Sequence, residues 1–477
     1  MHRSKFAGIR AEKIFFLLLT ATICLHARVF TLDKLLEEVL KNSRELRTIE
    51  LEIENADEEV QITMSGAIPQ VSASLNLSHS NSYYPLSSAD HNNISSSLQN
   101  ALLDTATGIL SYDQFDYATT LMSKSLLFLS DVMKTPSNSV AASITVNQPL
   151  YAQGKVFYGV KIAKAHQRTL LCKHFQEKMR IKADVTILFY NALLAQKNVE
   201  IAYEGITLAE GTHNLAVVTH SVGNASELDT LNSRLHLESA RIELKKAQSD
   251  QRIAYETLIT KTGIAESPST FSVEGEFPPP IFELTLEEVV DKVRKNNPNL
   301  EQLRGLAEIQ NLQIEMVKGD YFPVVFAGAS VARIGQFDNL RDFSSTYWGN
   351  DSKIFLGLNW NIFTGLSRNH KFRQAKNNML MFQLSEQQTL ENLDLQTRRA
   401  YEQVIISREY LGVAESVISL AEKSYSIARK AYEIGSKTLL EYQDAEFRLN
   451  KAKTEMNSAL FKFHTAVINL KFLMSEL

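Results

Sequence analysis

The sequence predicts a mainly α fold with strands inserted, built as two tandem repeats. Three observations predict it. The chain repeats itself at fixed spacing, its longest stretches carry apolar residues every seven positions, and four shorter stretches alternate with period two. A seven-residue period sets one seam of a helix against a neighbour, whereas period two gives a strand two different faces. The 477 residues suffice for two or three ordinary domains or one elongated one. With 50 basic against 54 acidic residues the net charge is −4, too little positive charge for a general nucleic-acid binder.

The N-terminus reads as a signal peptide over 1–27. Arg3, Lys5, Arg10 and Lys13 precede an apolar run from Ile14 to Leu25, and a small residue, Ala27, follows. Cleavage is expected after Ala27; the bulky Ile23 before Cys24 speaks against lipidation of that cysteine. Only Cys172 then remains, so the mature chain forms no internal disulfide. No later run reaches the roughly 20 apolar residues of a membrane-spanning helix, so any crossing must be made by strands.

Two repeats follow, at 28–264 and 285–477, joined by a linker at 265–284. "TLDKLLEEVLKNSREL" from Thr31 aligns without a gap on "TLEEVVDKVRKNNPNL" from Thr285, and the match continues until Pro69 meets Pro323. Further along, Val146 meets Leu358 and Ser221 meets Glu433, both at a shift of 212. An interval held to the residue implies a rigid element. It carries heptads: Val404, Leu411, Ile418, Tyr425 and Tyr432, with Ser407, Ala414, Ala421 and Ala428 three residues behind. In the first repeat Ala195, Ala202, Ala209 and Ala216 occupy the small positions. The last stretch adds Ala445, Ala452, Ala459 and Ala466 beside Leu449, Met456, Phe463 and Leu470. A helix from Lys155 to about His220 would extend roughly 100 Å at about 1.5 Å per residue, longer than a globular core requires.

Four strands are expected at about 70–80, 140–150, 323–334 and 352–363, with a long loop at 81–139. Val71, Ala73, Leu75 and Leu77 alternate in the first, and Ile354, Leu356, Leu358, Trp360 and Ile362 in the last. About ten residues suit a tilted strand crossing a bilayer. Four strands cannot close a barrel, and open edges in lipid leave unpaired backbone groups. Either the strands form a small soluble sheet, or several chains pool them; three chains give a 12-stranded β-barrel. Tyr151, Tyr347, Trp348, Trp360 and Phe363 fall at strand ends, where an aromatic girdle would sit.

Together these residues resemble the TolC-like outer-membrane efflux proteins. Each copy begins "TLxxxxxxxxKNxxxL", passes a proline into a strand, returns through "QPLYAQGK" or "WNIFTGLS", and ends in a "GxxxxL" break before its last helix. The resemblance implies a homotrimer in the outer membrane. Each chain would give four strands to a shared transmembrane barrel and long helices to a tunnel through the periplasm. It further implies a passive exit duct for efflux or type I secretion, docked by a periplasmic adaptor (membrane fusion) protein and an inner-membrane pump. It implies no enzyme and no cofactor; the eleven histidines show no metal-ligand spacing, and no phosphate loop or nucleophile motif is present.

The resemblance also assigns a site. Gly223 and Gly435 become the helix–turn breaks at the periplasmic tip. Glu441 and Asp444, six and nine residues after Gly435, would line the constriction as rings of carboxylates that repel one another and raise some of their pKa values. Tyr432, Lys437 and Asp229 match the positions of polar links that hold the gate shut, with Lys437 pairing Asp229. Lys437 stands where the family pattern has arginine, and Leu228 where a hydroxyl is expected. The competing reading is a periplasmic coiled-coil scaffold or adaptor without channel activity.

Overall fold

The computed structural model describes residues 28–79, 138–223, 225–337 and 347–477, with isolated helical positions between 96 and 124. The expected signal peptide, Cys24, most of the loop at 81–139 and most of the connection after Phe337 lie outside the described residues. The elements run β1 (Arg28–Phe30), α1 (Leu32–Asn42), α2 (Arg44–Ser65), β2 (Gln70–His79), β3 (Asn138–Ala152), α3 (Lys155–Ser221) and α4 (Glu227–Thr262). Then come β4 (Phe271–Val273), α5 (Leu286–Asn296), α6 (Pro298–Gly319), β5 (Val324–Phe337), β6 (Tyr347–Asn359), α7 (Ser367–Glu433) and α8 (Leu439–Met474).

The repeat is carried into the helices without slippage. α3 and α7 each have 67 residues and α4 and α8 each have 36. α1 and α5 have 11, α2 and α6 have 22. The chain divides into two compact units: Met1–Val60, Lys161–Ile314 and Arg373–Leu477 form one, Gln61–Val160 and Glu315–Phe372 the other.

The first unit is helical and has two related cores. In one, Leu35 and Val39 of α1 pack with Phe189 and Leu193 of α3 and Leu258 of α4. In the other, Val289 and Val293 of α5 pack with Val404 and Leu411 of α7 and Phe463 and Leu470 of α8. Leu35 and Val289 are equivalent in the repeat, as are Leu258 and Leu470, and all four are fully buried. Burying each such side chain contributes about 1.5–3 kcal/mol. The small seam is buried at Ala195, Ala209, Ala216, Ala414, Ala428, Ala445, Ala452, Ala459 and Ala466, so the helices approach closely there. The stretch expected to be a plain linker holds β4, which pairs in parallel with β1 and stacks Phe271 on Phe30 with centroids 5.1 Å apart.

The second unit is a four-stranded sheet in the order β2-β3-β5-β6, antiparallel throughout, with β2 and β6 as edges. The register puts Val71, Val146, Ala329 and Ile354 in one row across the sheet, and Ala73, Ile144, Val331 and Ser352 in the next. Side chains alternate along a strand, so these rows share one face. The opposite face carries Ser72, Thr145, Ser330 and Lys353 in a row, then Ser74, Ser143, Ala332 and Asp351. Ser74 and Ser143 bond at 2.8 Å, Ser78 and Ser139 at 2.6 Å. The first face is therefore mainly apolar, with Arg333, Asn350 and Ser352 toward one end, and the other carries hydroxyl and charged side chains beside Phe326 and Phe355. The apolar one is open: Ile354 is 90% exposed and Leu75 74%.

The last strand differs from the expectation at 352–363. β6 starts at Tyr347 and ends at Asn359. Trp360 instead donates its indole N–H to the Tyr321 carbonyl at 3.2 Å, and the Arg368 guanidinium binds the carbonyls of Asn361 and Ile362. Those carbonyls thus find a side-chain donor in place of a strand ladder.

Candidate functional site

The assigned site is built on two helix ends. α7 stops because Gly435 takes φ 75°, a left-handed conformation that costs glycine little. Its N–H bonds the Tyr432 carbonyl at 2.9 Å, and the Ser436 N–H bonds Ala431 at 2.9 Å, capping the last carbonyls of the helix. Thr438, three residues after Gly435, is the N-cap of α8 and forms a capping box. Thr438 accepts from the Glu441 N–H at 3.3 Å, and the Glu441 carboxylate accepts from the Thr438 N–H at 2.9 Å. The first repeat does the same. Gly223 has φ 79°, and Ser226 caps α4 reciprocally with Asp229 at 3.2 and 3.0 Å. Gly223 and Gly435, Ser226 and Thr438, Asp229 and Glu441 all stand 212 residues apart.

These local roles occupy the side chains assigned to the gate. Lys437 bonds Glu441 at 2.9 Å, not Asp229, because Glu441 lies one helical turn ahead of it. Asp229 is held by the Ser226 N–H and hydroxyl. Asp444 pairs with Arg448 at 2.9 Å, again one turn away. The Thr438 N–H, then Lys437 and the Thr438 hydroxyl, hold the Glu441 carboxyl down at about 2. Within one chain its pKa is thus lowered, not raised.

Tyr432 makes the link between the two turns. Burial, and then the Asp229 charge, push its phenol up, and the Thr219 hydroxyl hydrogen-bonds it. Its ring stacks on Tyr442 with centroids 5.4 Å and planes 10° apart. Tyr425 stacks on the same Tyr442 ring, centroids 5.8 Å apart. The three rings close over Ala216, Ala428, Leu439 and Ala445 and bind the end of α7 to the start of α8. Tyr425 and Tyr432 belong to the heptad series. Tyr442 stands one heptad before Leu449, so it extends the series Leu449, Met456, Phe463 and Leu470 back into the first turn of α8.

One further residue was missed. Glu446, one position past the seam residue Ala445, is fully buried; among the described residues its side-chain hydrogen bond is with the Thr212 hydroxyl, at 3.4 Å. Burial pushes its carboxyl up to about 7.

Comparison with known proteins agrees with this architecture. No curated protein matches the chain. A membrane protein from Pseudomonas aeruginosa is similar in structure, at 15% identity over 94% of this chain and 91% of that one, with a TM-score of 0.71. The outer membrane protein VceC from Vibrio cholerae is similar at 14% identity, 93% and 96% coverage and a TM-score of 0.67. The CmeC outer membrane channel of Campylobacter jejuni is similar at 15% identity, 93% and 85% coverage and a TM-score of 0.66. At such identities the likeness shows a shared fold. The family model for outer membrane efflux proteins matches residues 35–263 and 289–476, one span in each repeat. The chain therefore belongs to the outer membrane efflux protein family: it is a transport channel protein of the outer membrane that extends into the periplasm, not an enzyme.

Proposed function

We propose that three copies of the chain form one passive exit duct, each giving β2, β3, β5 and β6 to a closed 12-stranded barrel. The sheet carries this reading. It has one exposed, mainly apolar face, one face rich in hydroxyl and charged side chains, and two edge strands, which is what a lipid-facing, water-lined barrel segment requires. Tyr151, Trp360 and Phe363 lie toward one end of the strands and Tyr347 and Trp348 toward the other, as two interfacial belts would. No helix among the described residues is long and apolar enough to cross a membrane. The mature chain begins after residue 27, with repeats at 28–264 and 285–477. The duct works in tandem with a periplasmic adaptor and an inner-membrane pump, in efflux or type I secretion.

The gate of this duct is the pair of turns at Gly223 and Gly435, with Glu441 and Asp444 as its acidic lining. Each acid already has a basic neighbour on its own chain, Lys437 and Arg448, so the rings would be less negative than the carboxylates alone. The test is single-channel conductance of the purified protein in a planar bilayer, with its mass in detergent. Small cation-selective steps from a trimer are expected, losing cation selectivity in the E441A/D444A double variant. A monomer that stays folded and never inserts would instead favour the scaffold reading. Unchanged selectivity in the double variant would remove the acidic lining from the account.

A further inference from the structure

The helical unit contains a cavity of about 920 Å³ walled by α3, α4 and α8. It opens where the alanine seam of the first repeat does not close: Ala202 on α3 and Ala240 and Ala247 on α4 line it. Aliphatic side chains, among them Leu194, Ile201 and Ile253, make up much of the wall. Among the described residues of this wall, four buried polar atoms have no hydrogen-bond partner. They are Glu446 Oε1, Asn450 Oδ1, Asn198 Oδ1 and His236 Nδ1.

Their chemistry is one-sided. A carboxylate oxygen, two amide oxygens and an imidazole nitrogen can all accept a hydrogen bond. Burial pushes the His236 pKa down, which favours the neutral ring. Buried acceptors without donors are costly, and the cost is relieved by a group that brings several N–H bonds at once. The acidic and basic side chains of the wall lean the same way, with Glu243, Asp250 and Glu446 against Lys246 and Lys451. Lys451 is itself drawn to Glu455, 4.0 Å away.

We propose that this cavity binds a small organic ammonium ion, with its N–H donors on Glu446 and the two asparagines and its hydrocarbon body against the aliphatic wall. A bare metal ion fits less well: the space is larger than a coordination shell, and among the described residues no cluster of three His, Cys, Asp or Glu forms. The family membership and the channel reading do not assign this site.

Binding is coupled to the protonation of Glu446, which must be ionised to hold the cation. Several charged or titratable groups surround it. Glu204 of α3 pairs with Lys453 of α8, His236, Glu243, Lys246 and Asp250 come from α4, and Tyr425 approaches from α7. Burial pushes the His236 pKa down and that of Glu446 up to about 7, so Glu446 is the group that titrates between pH 6 and pH 8.

The test compares benzylamine with the isosteric but uncharged benzyl alcohol, titrated calorimetrically into the full-length protein in detergent. The alcohol accounts for partition into micelles. The amine should bind saturably, one per chain, and at least about tenfold tighter than the alcohol, the value of one charge-assisted hydrogen bond. Its affinity should rise from pH 6 to pH 8 while that of the alcohol stays constant. Glu446→Gln should erase the preference, and Ala247→Phe, which fills the space from α4, should erase binding of both. Equal affinity for amine and alcohol, or a preference that survives Glu446→Gln, overturns the proposal. So does the absence of saturable binding, which would mean that water alone satisfies the four acceptors.

Discussion

The Tyr432 ring lies flat on Tyr442, with planes 10° apart and centroids separated by 5.4 Å. This contact joins the last turn of α7 to the first turn of α8 across the glycine break. Tyr442 is buried at 6% exposure, so Tyr442→Ala removes both its stacking partners and its packing on Ala428 and Ala445. A loss of about 3 kcal/mol is expected from thermal or denaturant unfolding. The same variant should raise the closed-state conductance, because the turn it loosens is the proposed gate. Tyr442→Phe should be nearly neutral, since the hydroxyl contact to Tyr425 is long at 3.4 Å.

Glu441 predicts an acid limb in the stability of α8. Its pKa is lowered to about 2 by the Thr438 N–H, Lys437 and the Thr438 hydroxyl. A depressed carboxylate stabilises the fold above its unfolded pKa of about 4.3 and loses that contribution as the pH falls toward 2. The difference between the wild type and Glu441→Gln should therefore be constant above about pH 5 and shrink below it. Circular dichroism melts at pH 2–6 measure this, and a pH-independent difference would contradict the capping role.

Glu446 predicts the opposite limb. Its pKa is raised to about 7 by burial, so ionising it opposes folding. Below about pH 4.3 it is protonated in both states and costs nothing; between there and pH 7 stability falls by on the order of 2–3 kcal/mol. Glu446→Gln should flatten this decline and leave the variant more stable than the wild type at pH 8. Denaturant midpoints at pH 4.5, 6 and 8 would show it.

Two glycines in the sheet predict a steric test. A Cβ on Gly357 would overlap the Phe326 ring, and one on Gly328 the Phe355 ring. The two rings lie edge to face, centroids 6.2 Å apart, each covering the other strand's glycine. Gly357→Ala should destabilise the assembled sheet by about 1–3 kcal/mol, read from the heat resistance of the detergent-solubilised oligomer. Adding Phe326→Ala should recover part of the loss, because the clash partner is then gone.

How much of this the sequence disclosed depends on how local each feature is. Leu35 and Val289 were readable because the repeat sets them opposite one another, and Leu470 because the heptad also marks it. β1 and β4 were not, since three residues carry no period, and their pairing joins Arg28 to Phe271 across the whole first repeat. The alternation ran on through Trp360 and Ile362, but strand ends are set by hydrogen bonds, here those to Tyr321 and Arg368, which alternation does not record. At the turns, the glycines follow from the break in the pattern. The partner of Lys437 was misjudged because Glu441, four residues away on the same helix, competes with the distant Asp229 at far lower cost in ordering. Glu446 looks like any surface acid in one dimension. Its burial comes from α3, through Thr212, 234 residues earlier in the chain.

The matched lengths of α3 and α7, 67 residues each, bear on how such a chain can change over generations. Tyr432 meets Thr219 and the Asp229 charge because both long helices end at the same level. Inserting one heptad into α3 alone would carry its end about 10 Å past that of α7. The tyrosine would lose its neighbours and every seam position above the insertion would face a new partner. Such a chain can be lengthened or shortened only by paired edits, one in each half, so the two copies are free to diverge in residue identity but are held to a common measure.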